Sequence, residues 1–316
     1  FGDRSPGLFR VRAASCVHIN AASARGNSAS RVVDTANMAI PGGLWNKPEK
    51  PRELRHMSVL AVIPARYGST RFPGKPLAKI AGKMMIERVW RIAAAADGVD
   101  RVVVATDDER ILDAVTAAGG EAVMTDPACR NGTERALDAM RRLDSDAEIV
   151  INVQGDAPLI PPWVIGGVAG TLRADPSLQM ATPAIELPAE TETRMRADKA
   201  KGSASGTTVV FNKAMDAMYF SKAVIPFRRK PGEGAPTYQH IGLYGYRRDT
   251  LEKLVALEPT PFELTESLEQ LRALENGIPI RVVLTDYRGR SAWSVDAPED
   301  AVRVEEIIAR EGELVA

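Results

Sequence analysis

The chain has 316 residues, of which 45% are apolar and 26% charged, and its 41 basic side chains balance 41 acidic ones. This length suits one large α/β domain or two small ones with a sizeable core, and the balanced charge argues against a nucleic-acid partner. Two cysteines and three histidines without metal-ligand spacing argue against a disulfide scaffold and a zinc site, and the absence of a long apolar run argues against a membrane span.

Residues 1–56 differ from the rest of the chain, with nine Lys or Arg residues against four acidic ones and scattered Ala and Ser. This composition is typical of a transit peptide, which would imply an organellar location. We favour the alternative that the segment is an extension or upstream sequence translated ahead of Met57, which implies a cytoplasmic protein. In both cases we expect one folded domain over 57–316.

From residue 58 onward, short apolar runs alternate with helical patterns. Strands are predicted at 58–63, 101–105, 121–124, 148–153, 180–185, 207–211, 240–246 and 280–284. Helices are predicted at 84–96, 108–118, 132–143, 162–174, 248–257, 262–276 and 298–310. This alternation predicts an α/β fold with a mostly parallel sheet and helices on both faces. In such sheets ligands bind outside the carboxyl ends of the strands, so the residues after each strand are the candidates.

The first strand is followed by the stretch PARYGSTRFPGK. Gly68 and Gly74 allow tight turns and a close approach of the backbone to a ligand, and Arg66, Arg71 and Lys75 supply the charges that phosphates attract. The pattern is not that of a P-loop, because proline follows Lys75. A phosphate-binding loop and a solvated basic turn both fit the pattern.

Two further stretches could cap helices or face a ligand. Asp107 and Asp108 follow the second predicted strand, and we expect at least one of them to cap the next helix. In CRNGTER, Asn131 or Thr133 could cap a helix, or backbone groups and Arg135 could bind a nucleobase. The spacing alone does not separate these alternatives.

Carboxylates follow two later strands. Gln154 and Asp156 flank Gly155 after the strand at 148–153, and Asp296 precedes the last predicted helix. Mg²⁺ prefers such oxygen ligands and bridges phosphates, so Asp156 and Asp296 are the candidate metal ligands. A turn aspartate before Pro158, and a helix cap at Asp296, are the structural alternatives.

Seven motifs in this order carry a family resemblance: VIPARYGSTRFPGKPL, VVVATDDERI, NGTER, NVQGDAPLI, MYFSKAVIPF, HIGLYGYR and LEQLRALENG. Together they resemble the 3-deoxy-manno-octulosonate (Kdo) cytidylyltransferases over about 58–310. The resemblance implies transfer of CMP from CTP to the sugar acid Kdo, with Mg²⁺, in a homodimer that serves lipopolysaccharide assembly. It also implies a Rossmann-like nucleotidyltransferase fold with a smaller β-rich insertion, at about 202–240, for dimer contacts.

The resemblance also implies residue roles. Catalysis would involve Arg66, Lys75 and Asp156, and the metal would lie on Asp156 and Asp296. The nucleotide would contact Ala65, Arg66, Gly68, Ser69, Lys75, Asn131, Gly132, Thr133 and Arg135. The sugar acid would contact Gln154, His240, Tyr244, Glu266, Glu269 and Gln270.

The sequence departs from the family pattern at three places. Ala157 stands where the family commonly has Glu, the stretch 202–210 replaces a common NPNAVKVV, and Trp293 adds bulk near Asp296. A related sugar acid, such as an amino-Kdo or a sialic acid, is therefore an alternative substrate. A non-catalytic nucleotide-binding homologue is a further alternative. A dinucleotide oxidoreductase would need G-x-G-x-x-G after the first strand, which is absent.

Two segments have structural alternatives. The stretch 207–227 predicts a hairpin whose Met and aromatic residues fit either a dimer interface or ordinary core packing. In 262–275, leucines form an apolar stripe, so Glu266, Glu269 and Gln270 could be a solvated face or sugar contacts.

Overall fold

A computed structural model describes residues 57–68, 71–230 and 233–315. The predictions for 1–56 and for Ser69 lie outside the described residues. The strands are β1 (Val59–Ala65), β2 (Lys79–Ile80), β3 (Lys83–Met84), β4 (Arg101–Thr106), β5 (Glu121–Met124), β6 (Ile149–Asn152), β7 (Met180–Glu186), β8 (Thr207–Phe211), β9 (Ala217–Ser221), β10 (Tyr238–His240), β11 (Tyr244–Arg247) and β12 (Ile280–Thr285). The helices are α1 (Met85–Ala94), α2 (Glu109–Ala117), α3 (Gly132–Arg142), α4 (Pro162–Ala174), α5 (Ala189–Ala200), α6 (Arg248–Val255), α7 (Pro261–Glu266), α8 (Gln270–Glu275) and α9 (Pro298–Glu311).

The main sheet is mixed and mostly parallel, which confirms the predicted fold class. Its strands are ordered β5-β4-β1-β6-β11-β7-β10-β8-β9, with β12 also paired to β7. Strands β5, β4, β1 and β6 run parallel, as do β7 and β12, whereas β11 and β10 are antiparallel to their neighbours. The parallel half places the carboxyl ends of β1, β4 and β6 along one edge.

Alternation along β1 builds a core on each face of the sheet. Val59, Ala61 and Ile63 point into one core with residues of α1, α2 and α4. Leu60 and Val62 point into the other with residues of α3, α6 and α8. Because a strand buried on both faces needs apolar residues at every position, the continuous run of β1 is typical of a central parallel strand.

Two predicted elements are each divided in the structure. The predicted strand 240–246 forms β10 and β11, which pair with different parts of β7 and leave 241–243 between them. The predicted helix 262–276 forms α7 and α8, because Ser267 adopts a left-handed conformation with φ of 52° that interrupts the helix.

The stretch 202–240 contributes three strands, as expected of a β-rich segment. Strands β8 and β9 form the predicted hairpin, and β10 joins β8 to β7, so these strands continue the main sheet. The hairpin's Phe220 is fully buried, whereas Met218 is exposed. Among the described helices, none has the length and apolar character needed to cross a membrane.

Candidate active site

Lys75 connects three segments that are distant in sequence. Its Nζ lies 2.9 Å from Asp156 Oδ2 and donates to the backbone oxygen of Val295 at 2.8 Å. The N–H of Val295 donates in turn to the backbone oxygen of Asp156 at 2.9 Å. The loop after β1, the turn after β6 and the segment before α9 therefore meet at one ammonium group, as the strand-end argument predicts.

The basic loop after β1 is held by contacts of its own. Gly74 has a φ of 72°, which favours glycine, and its N–H donates to the backbone oxygen of Tyr67 at 3.0 Å. The guanidinium of Arg110 lies 3.4 Å from the centroid of the Tyr67 ring, a cation–π contact. These contacts fix the base of the loop, while Arg66 and Gly68 remain exposed to solvent.

Gly155 sets the position of Asp156. A Cβ at residue 155 would lie 2.6 Å from the backbone oxygen of Pro64, closer than van der Waals contact permits. Glycine therefore lets the turn after β6 pack directly against the end of β1, and this packing brings the Asp156 carboxylate to Lys75.

Asp296 lies in the same region and pairs with a different cation. Its Oδ1 is 3.0 Å from a terminal nitrogen of Arg71 at the surface. The expected alternative that Asp296 caps α9 is wrong, because Ala297 is the N-cap residue. The Asp300 carboxylate accepts from the N–H groups of Asp296 and Ala297 at 2.8 and 2.9 Å.

Trp293 adds a further hydrogen bond to the Asp300 carboxylate. Its indole Nε1–H donates to Asp300 Oδ1 at 3.0 Å, so both carboxylate oxygens of Asp300 are occupied. Partial burial works to raise the pKa of Asp300, but the hydrogen bonds from Asp296, Ala297 and Trp293 lower it overall. Asp300 therefore stays ionised and holds the backbone that carries the Asp296 side chain.

The two carboxylates form a donor set that fits Mg²⁺. Among the described residues, no cluster of three or more His, Cys, Asp or Glu side chains could hold a metal ion. Mg²⁺ in nucleotide-dependent enzymes commonly uses one or two carboxylates and completes its shell with phosphates and water. Asp156 and Asp296, each beside a displaceable cation, match that requirement.

The nucleotide-side residues surround the end of β1. Asn131 caps α3 by accepting from the Glu134 N–H at 2.8 Å, and a Cβ on Gly132 would touch the Pro64 ring at 3.4 Å. Thr133 is buried and Ala65 ends β1. The start of α3 thus packs against the end of β1, which is compatible with the expected nucleotide position.

Arg135, for which a nucleotide contact is expected, is held by side chains of the protein itself. It is 3% exposed, and its terminal nitrogens donate to Thr125 Oγ1 at 2.6 Å and to Asp107 Oδ2 at 2.8 Å. Because these buried bonds occupy its guanidinium, Arg135 anchors α3 to the end of β4. Of Asp107 and Asp108, Asp108 caps α2, which confirms the prediction that at least one of the two is a helix cap.

A cavity of about 550 Å³ opens beside the carboxylates. Its lining includes Gln154, Asp156, Ala157, Thr191, Arg194, Met195, Asp198, Ser203, Ser205, Gly206, Gln239, His240, Trp293, Asp296 and Asp300. Of the expected sugar contacts, Gln154 and His240 line it. All three departures from the family pattern, at Ala157, in 202–210 and at Trp293, also line this cavity. They therefore change the lining of the same cavity.

His240 is a neutral acceptor toward this cavity. The Thr182 hydroxyl donates its single hydrogen to the Leu243 backbone oxygen at 2.7 Å. Its contact with His240 Nε2 at 2.8 Å must therefore be one in which Nε2–H donates. Burial, with a smaller contribution from Lys222, lowers the pKa of His240 to about 3. Since Nδ1 is then unprotonated, His240 can accept from a sugar hydroxyl but cannot donate to a carboxylate.

The remaining expected sugar contacts are not among the residues that line this cavity. Glu266 accepts from Ser221 Oγ and from the Lys222 N–H, each at 2.7 Å, so both oxygens join α7 to β9. Gln270 is buried, and its Nε2 has no hydrogen-bond partner among the described residues. Tyr244 packs against His240 at 5.4 Å between ring centroids, and burial raises the pKa of Glu269.

The fold and the candidate site together define a class of protein. A mostly parallel α/β sheet carries a basic glycine-containing loop after β1 and two carboxylates at the same strand edge, which is the arrangement of a nucleotide-dependent phosphate-transferring enzyme. Sequence reasoning missed two contributors to the site, α5 and Asp300. The signal available for Asp300 was an acid in the first turn of the predicted helix, since a capping box has an acid three residues after the N-cap.

Comparison with known proteins specifies the family. A family model described as cytidylyltransferase matches residues 60–281. A 3-deoxy-manno-octulosonate cytidylyltransferase of Maricaulis maris is 92% identical over 259 residues, 82% of this chain and 100% of that protein. One from Myxococcus xanthus is 47% identical over 80% of this chain and 97% of its own length.

Solved structures agree with this assignment. The structure of a CMP:2-keto-3-deoxy-manno-octonic acid synthetase complexed with CTP matches with a TM-score of 0.72 at 39% identity, covering 80% of this chain and 99% of that one. A 4-diphosphocytidyl-2C-methyl-D-erythritol synthase from Anaerococcus prevotii, with a TM-score of 0.53 at 14% identity, shares the fold. The chain belongs to the 3-deoxy-manno-octulosonate cytidylyltransferase family and is a nucleotidyltransferase.

Proposed function

We propose that this protein transfers CMP from CTP to the anomeric hydroxyl of Kdo, giving CMP-Kdo and pyrophosphate. The convergence of Lys75, Asp156 and Asp296 carries the proposal, because a cation suited to phosphate and two carboxylates suited to Mg²⁺ share one edge of the sheet. The close relatives that bear the cytidylyltransferase name support CTP and Kdo as the substrates.

In the reaction, the sugar hydroxyl attacks the α-phosphorus of CTP in line with the departing pyrophosphate. The protein contributes mainly positioning and charge neutralisation in such transfers. Lys75, on a flexible stem, can pass from Asp156 to an oxygen of the leaving pyrophosphate. Arg66, exposed on the same loop, can bind the triphosphate.

We propose that Asp156 and Asp296 hold Mg²⁺ when the nucleotide is bound. The ion supplies neutralisation of phosphate charge and lowers the pKa of a bound hydroxyl. The residues' own contribution is to place two carboxylates beside the proposed position of the phosphates, where Lys75 pairs with Asp156 and Arg71 with Asp296.

We also propose a homodimer, a cytoplasmic location and a product used in lipopolysaccharide assembly, as the family resemblance implies. Exposed Met218 on β9 and Phe227 beyond it support a subunit interface, because Met and aromatic residues are enriched there. Sedimentation equilibrium of the wild type and Met218→Glu tests the dimer, and a monomeric wild type contradicts it.

The decisive experiment measures pyrophosphate release. Each nucleoside triphosphate is combined with Kdo, 8-amino-Kdo and N-acetylneuraminate, with and without Mg²⁺. We expect release with CTP and Kdo in the presence of Mg²⁺ and much less with the other pairs. Release that favours a different sugar acid would assign the enzyme to that acceptor, and no release with any pair would contradict catalysis.

A further inference from the structure

Helix α5 presents one regular face to the cavity. Thr191, Arg194, Met195 and Asp198 all line it, at the i, i+3, i+4 and i+7 spacing that marks one side of a helix. The following turn adds Ser203 and Ser205 to the same wall. We call these six residues the α5 wall. Apart from Met195 the wall is polar, so its place in the structure is not explained by apolar burial.

An ion network holds the other side of α5. Glu192 accepts from Arg228 Nε at 2.6 Å and from Arg196 Nε at 2.9 Å, and Arg196 also reaches the Pro226 backbone oxygen at 3.3 Å. Lys199 Nζ donates to the Gly206 backbone oxygen at 2.7 Å. These anchors lie about a third of a turn from the α5 wall, so they fix which side of the helix faces the cavity.

The cavity is acidic, although the proposed acceptor is itself an acid. Four aspartates line it, at positions 156, 198, 296 and 300. Lys75 and Arg71 pair with Asp156 and Asp296 and have the phosphates as their proposed partners, and His240 is neutral with an acceptor nitrogen available. A carboxylate entering this space needs a cationic donor that is not already paired.

Arg194 meets that need. Among the cavity-lining residues that the structure describes, it is the one Lys or Arg, and no hydrogen bond or ion pair joins it to another described residue. Its guanidinium is solvent-exposed at the cavity wall, and the planar fork matches a carboxylate in a bidentate pair. The hydroxyls of Ser203 and Ser205 lie on the same wall and can accept or donate toward sugar hydroxyls.

We infer that Arg194 binds the carboxylate of the sugar-acid acceptor and that the α5 wall is a specificity-determining part of the acceptor site. This inference rests on the proposed function, because it concerns the acceptor of that reaction. Arg194 acts in binding and not in the chemical step, so its removal weakens acceptor affinity while leaving CTP affinity and the maximal rate nearly unchanged.

The test uses pyrophosphate release with the full chain, CTP, Mg²⁺ and Kdo. We expect Arg194→Ala and Arg194→Gln to raise KM for Kdo by on the order of 10- to 100-fold, with KM for CTP changed less than about twofold. Arg194→Lys should recover part of the loss. Arg142→Ala, which removes an exposed arginine on α3 that pairs with Asp138, is the matched control and should match the wild type.

A second substrate isolates the charge. The carboxamide of Kdo keeps the shape of the acceptor but lacks the anionic carboxylate. The wild type should prefer the acid over the carboxamide, and Arg194→Ala should lose that preference. An unchanged KM for Kdo, a fall in kcat alone, or an undiminished preference in the variant would each overturn the inference. Absence of pyrophosphate release by the wild type would instead contradict the proposed function.

Discussion

The ammonium of Lys75 lies 2.9 Å from the carboxylate of Asp156, although 81 positions separate the two residues in sequence. The same nitrogen reaches the Val295 backbone, one residue before Asp296. A single cation therefore neutralises one candidate metal ligand and holds the chain beside the other. Lys75 therefore holds Asp156 beside the segment that carries Asp296, and we propose that it also binds the phosphates.

Replacing Lys75 tests its role in the transition state. Lys75→Ala should reduce kcat by on the order of 10²-fold or more, because charge on the leaving pyrophosphate loses its partner. Steady-state kinetics of pyrophosphate release measure this, and Lys79→Ala, an exposed lysine on β2, is the control. An unchanged kcat with a raised KM for CTP would show that Lys75 only helps the nucleotide bind.

Replacing Asp156 tests the metal site. Asp156→Ala should abolish turnover and leave the fold intact, because charge neutralisation worth several kcal/mol is lost. Mn²⁺ binding in the presence of CTP, followed by electron paramagnetic resonance, should weaken in parallel. Asp113→Asn, at an exposed position of α2, is the control. Near-normal product formation by a folded Asp156→Ala protein would refute the assignment of Asp156 as a ligand.

Some of this arrangement could be predicted from the sequence, and the reasons are physical. Parallel strands bring their carboxyl ends to one edge, so Lys75 and Asp156 were expected to meet. Helix α5 was missed because it has no apolar stripe. Ion pairs of Glu192 with Arg228 and Arg196 hold it in place instead. The hydrogen bonds of Arg135 to Thr125 and Asp107 could not be predicted, because these partners are distant in sequence.

The break between α7 and α8 also could not be predicted from the sequence. The leucines of 262–276 have one continuous helical period, and no Gly or Pro marks the break at Ser267. The break follows from tertiary contacts, in which Glu266 is held by Ser221 and Lys222 of the hairpin. Local periodicity therefore predicted the elements, whereas their interruptions depended on contacts between distant residues.

Trp293 and Asp300 should influence metal affinity without touching the metal. Asp300→Asn weakens the bonds that hold the Asp296 N–H, and Trp293→Phe removes the indole donor. Outer-shell partners of metal ligands typically change metal affinity by about 10- to 100-fold. We therefore expect Asp300→Asn to raise the Mg²⁺ concentration for half-maximal activity about tenfold, and Trp293→Phe to raise it less.

Direct Mn²⁺ binding should shift in the same direction as the Mg²⁺ requirement. Trp163→Phe is the matched control, because its Nε1–H also donates to an oxygen, that of the Asp286 backbone at 2.9 Å. If both variants lowered kcat while Mn²⁺ affinity stayed the same, Asp300 would be a structural cap and not a positioning residue for Asp296.

Glu192 should make the stability of the protein depend on pH in acid. Hydrogen bonds from Arg228, supported by those from Arg196 and Thr237, lower the pKa of Glu192 to about 2 against its burial. The unfolded state, with the ordinary pKa of 4.5, takes up a proton first as the pH falls. The stabilisation by ionised Glu192 is therefore complete above pH 4.5 and is lost as the pH falls toward 2.

Glu192→Gln isolates this contribution. Urea unfolding should show a loss of about 2 kcal/mol at pH 7, which shrinks as the pH is lowered from 4.5 to 2, because the wild-type carboxylate is then protonated as well. The comparison with the variant is needed because Glu311 also contributes to the wild-type curve: against the effect of its burial, hydrogen bonds from Ser291 and Arg310 lower its pKa to about 2. A difference in unfolding free energy that stayed constant from pH 7 to pH 2 would show that packing of the side chain, and not its charge, anchors α5.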